Sequence, residues 1–161
     1  MRVHVGAVGR LRTGPERALI DDYAARFDKT GRALGLGPLR LHEVEDRKGG
    51  GMTAEAALLG RKIPNGAVLV ALDERGGQMT SPGLSRQLGD WRDAGRGDVT
   101  FLIGGADGLD PDLRARADLT LSFGKMVWPH MLARVMLVEQ LYRAAAILAG
   151  SPYHRACQPG P

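Results

Sequence analysis

The stretch that decides the fold is Ala67-Val68-Leu69-Val70-Ala71-Leu72-Asp73, an unbroken apolar run that ends on a carboxylate. Such a run is typical of a central parallel strand that is buried on both faces. Val99–Ile103 has the same character and ends at Gly104-Gly105. Parallel neighbours need crossover connections, which are usually helices. The two runs therefore predict a parallel sheet with helices packed around it.

The rest of the chain alternates between strand and helix patterns. Further strands are predicted over Arg2–Gly9, Leu39–Val44 and Leu119–Ser122. Helices are predicted from Gly14-Pro15 to about Gly31, around Ala54–Lys62, from a Ser81 cap to about Ala94, after Asp110-Pro111, and from Pro129 to about Ala149. Asp46–Gly51 and the residues from Asp73 to Thr80 are predicted as loops. The pattern indicates an α/β fold with a mostly parallel sheet and helices on both faces.

Composition narrows the class of protein. With 161 residues, 43% hydrophobic and 25% charged, the chain fits one domain over residues 1–155 and a short tail over residues 156–161. No apolar run reaches the roughly 18 residues of a membrane span, and no signal-peptide core follows Arg2. Cys157 is the single cysteine, which excludes an internal disulfide and favours a cytoplasmic location. The four histidines are scattered, so no metal-ligand spacing is present.

The charge is unevenly distributed along the chain. The net charge is +4, with basic excesses in residues 1–62 and 122–161 and an acidic excess in residues 63–121. Two basic ends suit a nucleic-acid partner. A basic surface that serves only solubility is the alternative, and charge alone does not separate the two.

Three loops that follow strands are the candidate ligand site: Leu72–Gly77, Ile103–Gly108 and Phe123–Pro129. Ligands of open parallel sheets bind beyond the carboxyl ends of the strands. Neither glycine cluster has the G-x-G-x-x-G spacing of a dinucleotide site, and no P-loop or G-x-S-x-G elbow is present. A nicotinamide-dependent oxidoreductase is therefore disfavoured, and a neutral cofactor gripped by backbone groups fits best.

The final helix and the residues after it carry polar groups. His130 and Arg134 share one helical face, while Glu139 and Arg143 lie nearly opposite. The apolar residues between them exceed one stripe, which indicates either a fully buried helix or packing against both the sheet and a second subunit. The run Pro152–Arg155 then offers an aromatic ring, an imidazole and a guanidinium, which suit stacking, proton transfer and phosphate binding. A frayed polar terminus is the alternative.

Several motifs together resemble one family across nearly the whole chain. They are Val8-Gly9-Arg10-Leu11-Arg12, Leu72-Asp73-Glu74-Arg75-Gly76, Phe101-Leu102-Ile103-Gly104-Gly105-Ala106-Asp107-Gly108-Leu109, Trp128-Pro129-His130, Arg134-Val135-Met136-Leu137, Glu139-Gln140-Leu141-Tyr142-Arg143-Ala144 and Pro152-Tyr153-His154-Arg155. This set is similar to the RlmH family of SPOUT-class methyltransferases. The resemblance implies a C-terminal trefoil knot, a homodimer whose active site is completed across the interface, and S-adenosylmethionine as cofactor. It also implies methylation at N3 of a pseudouridine in 23S ribosomal RNA. We expect intact ribosomes to be the preferred substrate, because a small protein of modest charge gains from reading the shape of a large particle. A non-catalytic ribosomal-RNA-binding factor on the same fold is the alternative.

The resemblance also implies site residues. The expected cofactor-binding residues are Leu72, Gly104, Gly105, Phe123, Gly124, Lys125, Met126, Val127 and Trp128. Residues 124–128 depart from the typical family segment by the loss of two hydroxyls. Methylation at N3 needs a proton acceptor and a cation near the flanking carbonyl oxygens. His154 or His130 is the expected acceptor, Arg155 or Arg134 the expected cation, and Tyr153 the expected stacking residue.

Overall fold

The computed structural model describes residues 1–155, which fold into five strands and five α-helices around one sheet. The strands are β1 (Arg2–Val8), β2 (Leu39–Val44), β3 (Val68–Gln78), β4 (Asp98–Ile103) and β5 (Leu119–Ser122). The helices are α1 (Pro15–Gly31), α2 (Gly51–Gly60), α3 (Ser81–Asp93), α4 (Pro111–Ala115) and α5 (His130–Leu148). The expected tail, 156–161, lies outside the described residues.

All five strands are parallel, in the order β2-β1-β4-β3-β5. Val5 of β1, for example, is in register with Leu41 of β2 on one side and with Phe101 of β4 on the other. Because every strand runs the same way, the loops that follow the strands meet at one edge, here called the carboxyl edge. The predicted α/β class with a parallel sheet is confirmed, while the trefoil knot stays a prediction.

Helices cover both faces of the sheet. On the first face, Val3, Val5 and Ala7 of β1 join a core with α1, α3 and α5. On the second face, a smaller core forms between the sheet and helices α2 and α4 through Leu59 and Leu113. Complete burial of a leucine or phenylalanine side chain contributes roughly 1.5–3 kcal/mol, so these two cores fix the helices against the sheet. None of the helices within residues 1–155 is both long and apolar enough to cross a bilayer.

The helix starts follow from side-chain caps. Thr80, rather than the predicted Ser81, caps α3, because its Oγ1 accepts a hydrogen bond from Gly83 N at 3.1 Å. The Asp110 carboxylate caps α4 by accepting hydrogen bonds from the backbone of Asp112 and Leu113. Both helices also have a proline in their first turn, as predicted.

Two boundaries differ from the sequence prediction. β3 does not end at Asp73 but continues to Gln78, with a register jump that lets both Leu72 and Gly77 pair with Leu121 of β5. Residues 73–76 thus form a bulge inside the strand, a feature set by the partner strand rather than by local sequence. Helix α2 begins at Gly51, earlier than predicted, because the Asp46 carboxylate accepts hydrogen bonds from the backbone just before it and closes the preceding loop.

Candidate functional site

A cavity of about 350 Å³ lies at the carboxyl edge, where the three predicted loops meet. Of the expected cofactor-binding residues it is lined by Leu72, Gly104, Gly105, Phe123, Gly124, Met126, Val127 and Trp128. His130, at the start of α5, also lines it, whereas Lys125 does not and is exposed. This cavity is called the donor pocket below. Its walls are supplied by the β3 bulge (residues 73–76), the loop that follows β4 (residues 104–108, the β4 loop) and the loop that follows β5 (residues 123–129, the β5 loop).

The β4 loop folds back on itself at the donor pocket. Gly108 N donates a hydrogen bond to Gly105 O at 3.0 Å. A Cβ atom on Gly104 would lie 2.2 Å from the carbonyl carbon of Gly108, a separation that no side chain tolerates. The sequence interpretation attributed the paired glycines to positive φ and to close approach by a ligand. The structure instead assigns Gly104 to loop closure, and only Gly108 of this loop has a positive φ, +85°.

The Asp73 carboxylate of the bulge is neutralised within the protein. The buried Asp73 carboxylate accepts hydrogen bonds from Arg75 Nε and Nη2, both at 2.9 Å, and from Arg114 Nη1 at 2.8 Å. Arg114 belongs to α4, so these contacts tie the bulge to that helix. Sequence analysis missed Arg114 because 41 residues separate it from Asp73. The donor pocket therefore gains a fixed wall without an unpaired carboxylate at Asp73.

The donor pocket fits a cofactor that combines a flat ring with a short chain. Its walls are mainly apolar side chains and the backbone of glycine-rich loops, and its size is in the range of small-molecule sites. Such walls can stack on an aromatic base while backbone groups hydrogen-bond to its edge. Across residues 1–155, no three His, Cys, Asp or Glu side chains are grouped to hold a metal ion.

Arg134 lies buried beneath the loop that follows β1. Its side chain is 1% exposed, and it donates hydrogen bonds to Val8 O at 3.0 Å, Gly9 O at 3.2 Å and Glu43 Oε1 at 3.3 Å. Burial lowers the pKa of Arg134, and the charge of Glu43 offsets part of this effect. In contrast with the expected position beside the reacting base, its guanidinium is enclosed and paired. The structure makes Arg134 an anchor for the end of β1.

A cluster of side chains surrounds the Glu139 carboxylate on α5. Glu139 Oε1 accepts hydrogen bonds from Arg143 Nη2 at 2.6 Å and from the Tyr153 hydroxyl at 2.9 Å. The Arg143 guanidinium lies 4.8 Å from the centre of the Tyr153 ring and 3.3 Å from His154 Nδ1. Burial and the hydrogen bond to Glu139 raise the pKa of Tyr153. These residues, with Tyr142, form the Tyr153 cluster, so Tyr153 and His154 pack on α5 and are not frayed.

The donor pocket and the Tyr153 cluster lie far apart within one chain. His130 and Glu139 are nine positions apart on α5, which corresponds to about 14 Å along the axis and about half a turn around it. His130 therefore faces the pocket while Glu139 faces the other side. Arg155 is exposed and forms no ion pair with any of residues 1–155. The structure thus brings together the expected cofactor residues and His130, but not Tyr153, His154 and Arg155 with them.

Exposed apolar residues mark the surface near α5. Leu19, Met131 and Leu132 are 41–45% exposed, and Val127 in the β5 loop is 82% exposed. A second cavity, of about 460 Å³, opens between α1, α3 and α5 and reaches Glu139. Groups of exposed apolar residues often mark interaction sites in soluble proteins. We call the group of Leu19, Met131, Leu132 and the lining of this second cavity the apolar face.

Comparisons with known proteins agree with this geometry. A family model described as "Predicted SPOUT methyltransferase" matches residues 1–154. The protein named ribosomal RNA large subunit methyltransferase H from Ruegeria pomeroyi is 68% identical over 155 residues, and the alignment covers 96% of this chain and 99% of that one. The protein of the same name from Dinoroseobacter shibae is 69% identical with the same coverage.

A solved structure supports the fold. A probable methylase family protein from Haemophilus influenzae Rd KW20 superposes with a TM-score of 0.51 at 12% identity, covering 95% of this chain and 70% of that chain. At that identity the likeness concerns the fold alone. The family match over residues 1–154 and the relatives at 68–69% identity carry the assignment. This chain belongs to the SPOUT methyltransferase family and, within it, to the RlmH family of ribosomal RNA large subunit methyltransferases.

Proposed function

We propose that this protein transfers the methyl group of S-adenosylmethionine to N3 of a pseudouridine in 23S ribosomal RNA, acting in the cytoplasm on the assembled ribosome. Methyltransferase activity with S-adenosylmethionine as cofactor follows from membership of the family. The observation that carries the proposal is the convergence of the β3 bulge, the β4 loop and the β5 loop on one pocket. The modified position in the RNA and the use of the assembled ribosome as substrate are the parts of the proposal that go beyond family membership.

The donor pocket supports the cofactor side of the reaction. When bound, S-adenosylmethionine supplies a methyl group on a positively charged sulfur, which a nucleophile displaces in line. Leu72 and the glycines of the β4 loop would hold its adenosine part, and the segment 123–128 would close over it. The chain's main contribution is to fix the acceptor nitrogen in line with the methyl group, since positioning alone supplies much of such a rate.

The acceptor side needs a base and a cation. N3 of the pseudouridine gives up its proton, and the resulting negative charge is shared with the two neighbouring carbonyl oxygens. N3 then forms its bond to the methyl carbon while the bond from that carbon to sulfur breaks. We assign the proton acceptor to His154, with His130 at the pocket as the second candidate. Arg155 is assigned to the carbonyl oxygens because it is exposed and free of ion pairs within residues 1–155. Tyr153 is assigned to stacking near the target base.

A homodimer follows from these assignments. Tyr153 and His154 pack on Glu139 and Arg143 of α5, and none of residues 153–155 lines the donor pocket of its own chain. The apolar face includes exposed residues of α1 and α5, and grouped exposed apolar residues are typical of interfaces. Two copies joined through it in a symmetric arrangement would each offer their C-terminal residues to the partner. The complete site thus combines a donor pocket from one protomer with Tyr153–Arg155 of the other.

Labelled methyl transfer tests the proposed function. Ribosomes from a strain lacking this protein are incubated with the protein and labelled S-adenosylmethionine, with free ribosomal RNA assayed beside them. We expect label on one pseudouridine of the large subunit, and more label on ribosomes than on free RNA. Absence of label despite cofactor binding would refute the assigned substrate. Absence of both would favour a non-catalytic RNA-binding factor.

A further inference from the structure

The loop that follows β1, residues 9–14, is held to the protein at three points. Val8 O and Gly9 O accept hydrogen bonds from the buried guanidinium of Arg134. Leu11 N donates a hydrogen bond to Glu43 Oε1 at 3.4 Å, and the Leu11 side chain is buried. Arg134 and Glu43 are themselves paired, so one buried ion pair organises the loop from beneath. The backbone between Val8 and Leu11 is therefore fixed.

Arg10 and Arg12 alternate with these anchored residues and point outward. Both are exposed, and neither forms an ion pair or a side-chain hydrogen bond with any of residues 1–155. The segment from Gly9 to Pro15 contains no acidic residue. The loop after β2 differs, because Glu45 and Asp46 balance Arg47 and Lys48 there. The β1 loop thus presents two free guanidinium groups on a fixed backbone.

The β1 loop borders the donor pocket. A Cβ atom on Gly9 would lie 3.9 Å from Nε2 of His130, which lines that pocket. The loop belongs to the carboxyl edge, as does every loop that follows a strand of this sheet. A polyanion that delivers a base to the pocket would therefore pass close to Arg10 and Arg12. Guanidinium groups bind phosphate with two parallel hydrogen bonds, and a fixed backbone reduces the entropy lost on binding.

We propose that the β1 loop is a phosphate clamp for the RNA substrate, in which Arg10 and Arg12 bind backbone phosphates next to the target nucleotide. Arg134 and Glu43 act as positioning residues that hold the clamp in place. This inference rests on the proposed function, because it takes RNA as the ligand of the same edge. Phosphate contacts fix register and orientation and carry no sequence information, so the clamp adds affinity and leaves the choice of base to the pocket.

The test compares two double variants that each remove two exposed arginines. Arg10→Ala/Arg12→Ala removes the clamp, and Arg32→Ala/Arg61→Ala removes two arginines from the opposite end of the sheet as a matched control. The dissociation constant for 70S ribosomes from a strain lacking the protein is measured at several salt concentrations. The affinity for S-adenosylmethionine is measured separately. Arg10→Lys/Arg12→Lys serves as a third variant that keeps the charge.

The clamp variant should bind ribosomes about tenfold more weakly, with a salt slope smaller by roughly 1–2, while its cofactor affinity stays unchanged. The lysine variant should keep most of the slope. Ribosome binding and salt slope equal to those of the control would overturn the clamp, as would an equal loss of cofactor affinity. Because binding is measured without turnover, wild-type protein that binds ribosomes but transfers no methyl group would refute the proposed function and not the clamp.

Discussion

The donor pocket and the Tyr153 cluster lie on opposite sides of α5 and are built in different ways. The pocket consists mainly of backbone loops and apolar side chains, and Asp73, one of the carboxylates that line it, is neutralised by Arg75 and Arg114. The cluster consists of polar side chains gathered on one carboxylate, Glu139. The loops form a ligand site within one chain, whereas the cluster lies outside that site. Under the proposed dimer, one protomer would supply a complete donor pocket and its partner would supply the C-terminal residues.

The largest expected effect is a loss of cofactor affinity caused by a substitution in the donor pocket. Gly104→Ala places a Cβ atom 2.2 Å from the backbone of Gly108, which forces the β4 loop out of position. We expect at least a hundredfold loss of S-adenosylmethionine affinity, measured by calorimetry. Gly60→Ala is the control, because nothing lies within 4 Å of its added Cβ. Unchanged affinity in Gly104→Ala would mean that this loop does not form the cofactor site.

Substitutions of the C-terminal residues His154 and Arg155 should lower turnover without weakening cofactor binding. His154→Ala and Arg155→Ala should each lower kcat by about a hundredfold, since a positioned base or a charge-stabilising donor contributes about that much. Calorimetry should give the wild-type affinity for S-adenosylmethionine, because both residues are assigned to the acceptor base and not to the cofactor. If both variants keep full turnover on ribosomes, the roles assigned to them are wrong.

A substitution of Arg134 distinguishes a structural role of this residue from a catalytic one. Arg134→Met leaves Glu43 without its buried partner and the carbonyls of Val8 and Gly9 without their donor. We expect a loss of about 3 kcal/mol in the free energy of unfolding, or roughly 10 °C in Tm. Chemical denaturation measures it, and Arg86→Met, which removes an exposed arginine, is the control. A large fall in kcat with an unchanged free energy of unfolding would instead place Arg134 at the reacting base.

The smallest expected effect is on the pH dependence of stability and involves two histidines of β1 and β2. His4 is buried, with Nε2 2.7 Å from Asp98 Oδ1 and Nδ1 3.1 Å from His42 Nε2. Burial and the charges of His4, Lys62 and Arg40 lower the pKa of His42 from its ordinary 6.5. The unfolded chain then takes up this proton more readily than the folded protein, so the free energy of unfolding falls as the pH drops below 6.5.

Thermal unfolding across pH 5 to 8 checks this dependence. His42→Gln can still donate a hydrogen bond to His4 but cannot titrate, so its Tm should change less with pH than that of the wild type. Equal slopes for wild type and His42→Gln would show that this imidazole does not govern the pH dependence.

Sequence predicted the sheet, the helices and the pocket walls because each depends on local patterns. The apolar runs 67–72 and 99–103 and the turn residues after them are readable within a few positions. The continuation of β3 to Gln78 could not be predicted from local sequence, because its register jump depends on pairing with β5. The link between Arg134 and Glu43 joins residues 91 positions apart, so sequence analysis could not show that Arg134, an expected cation for the reacting base, is buried and paired.

The C-terminal residues show the same limit of prediction from local sequence. The pair Glu139 and Arg143 is visible as a spacing of four on a helix, and sequence analysis identified it. That Tyr153 and His154 fold back onto this pair depends on the turn after α5, which the sequence alone left open between an ordered site and a frayed end. Sequence therefore found the residues of both regions but not the distance between them.

Mixing two inactive variants tests the central claim that each active site draws on two protomers. Gly104→Ala disables the pocket, Arg155→Ala disables the C-terminal contribution, and the two proteins are unfolded, mixed in equal amounts and refolded together. If sites form across the interface, a mixed dimer has one intact site, and random pairing restores about one quarter of wild-type methyl transfer to ribosomes. Ala106→Arg, an exposed change in the pocket wall, repeats the test where Gly104→Ala refolds poorly. Activity that stays at the level of the separate variants would contradict the account, because each site would then lie within one chain.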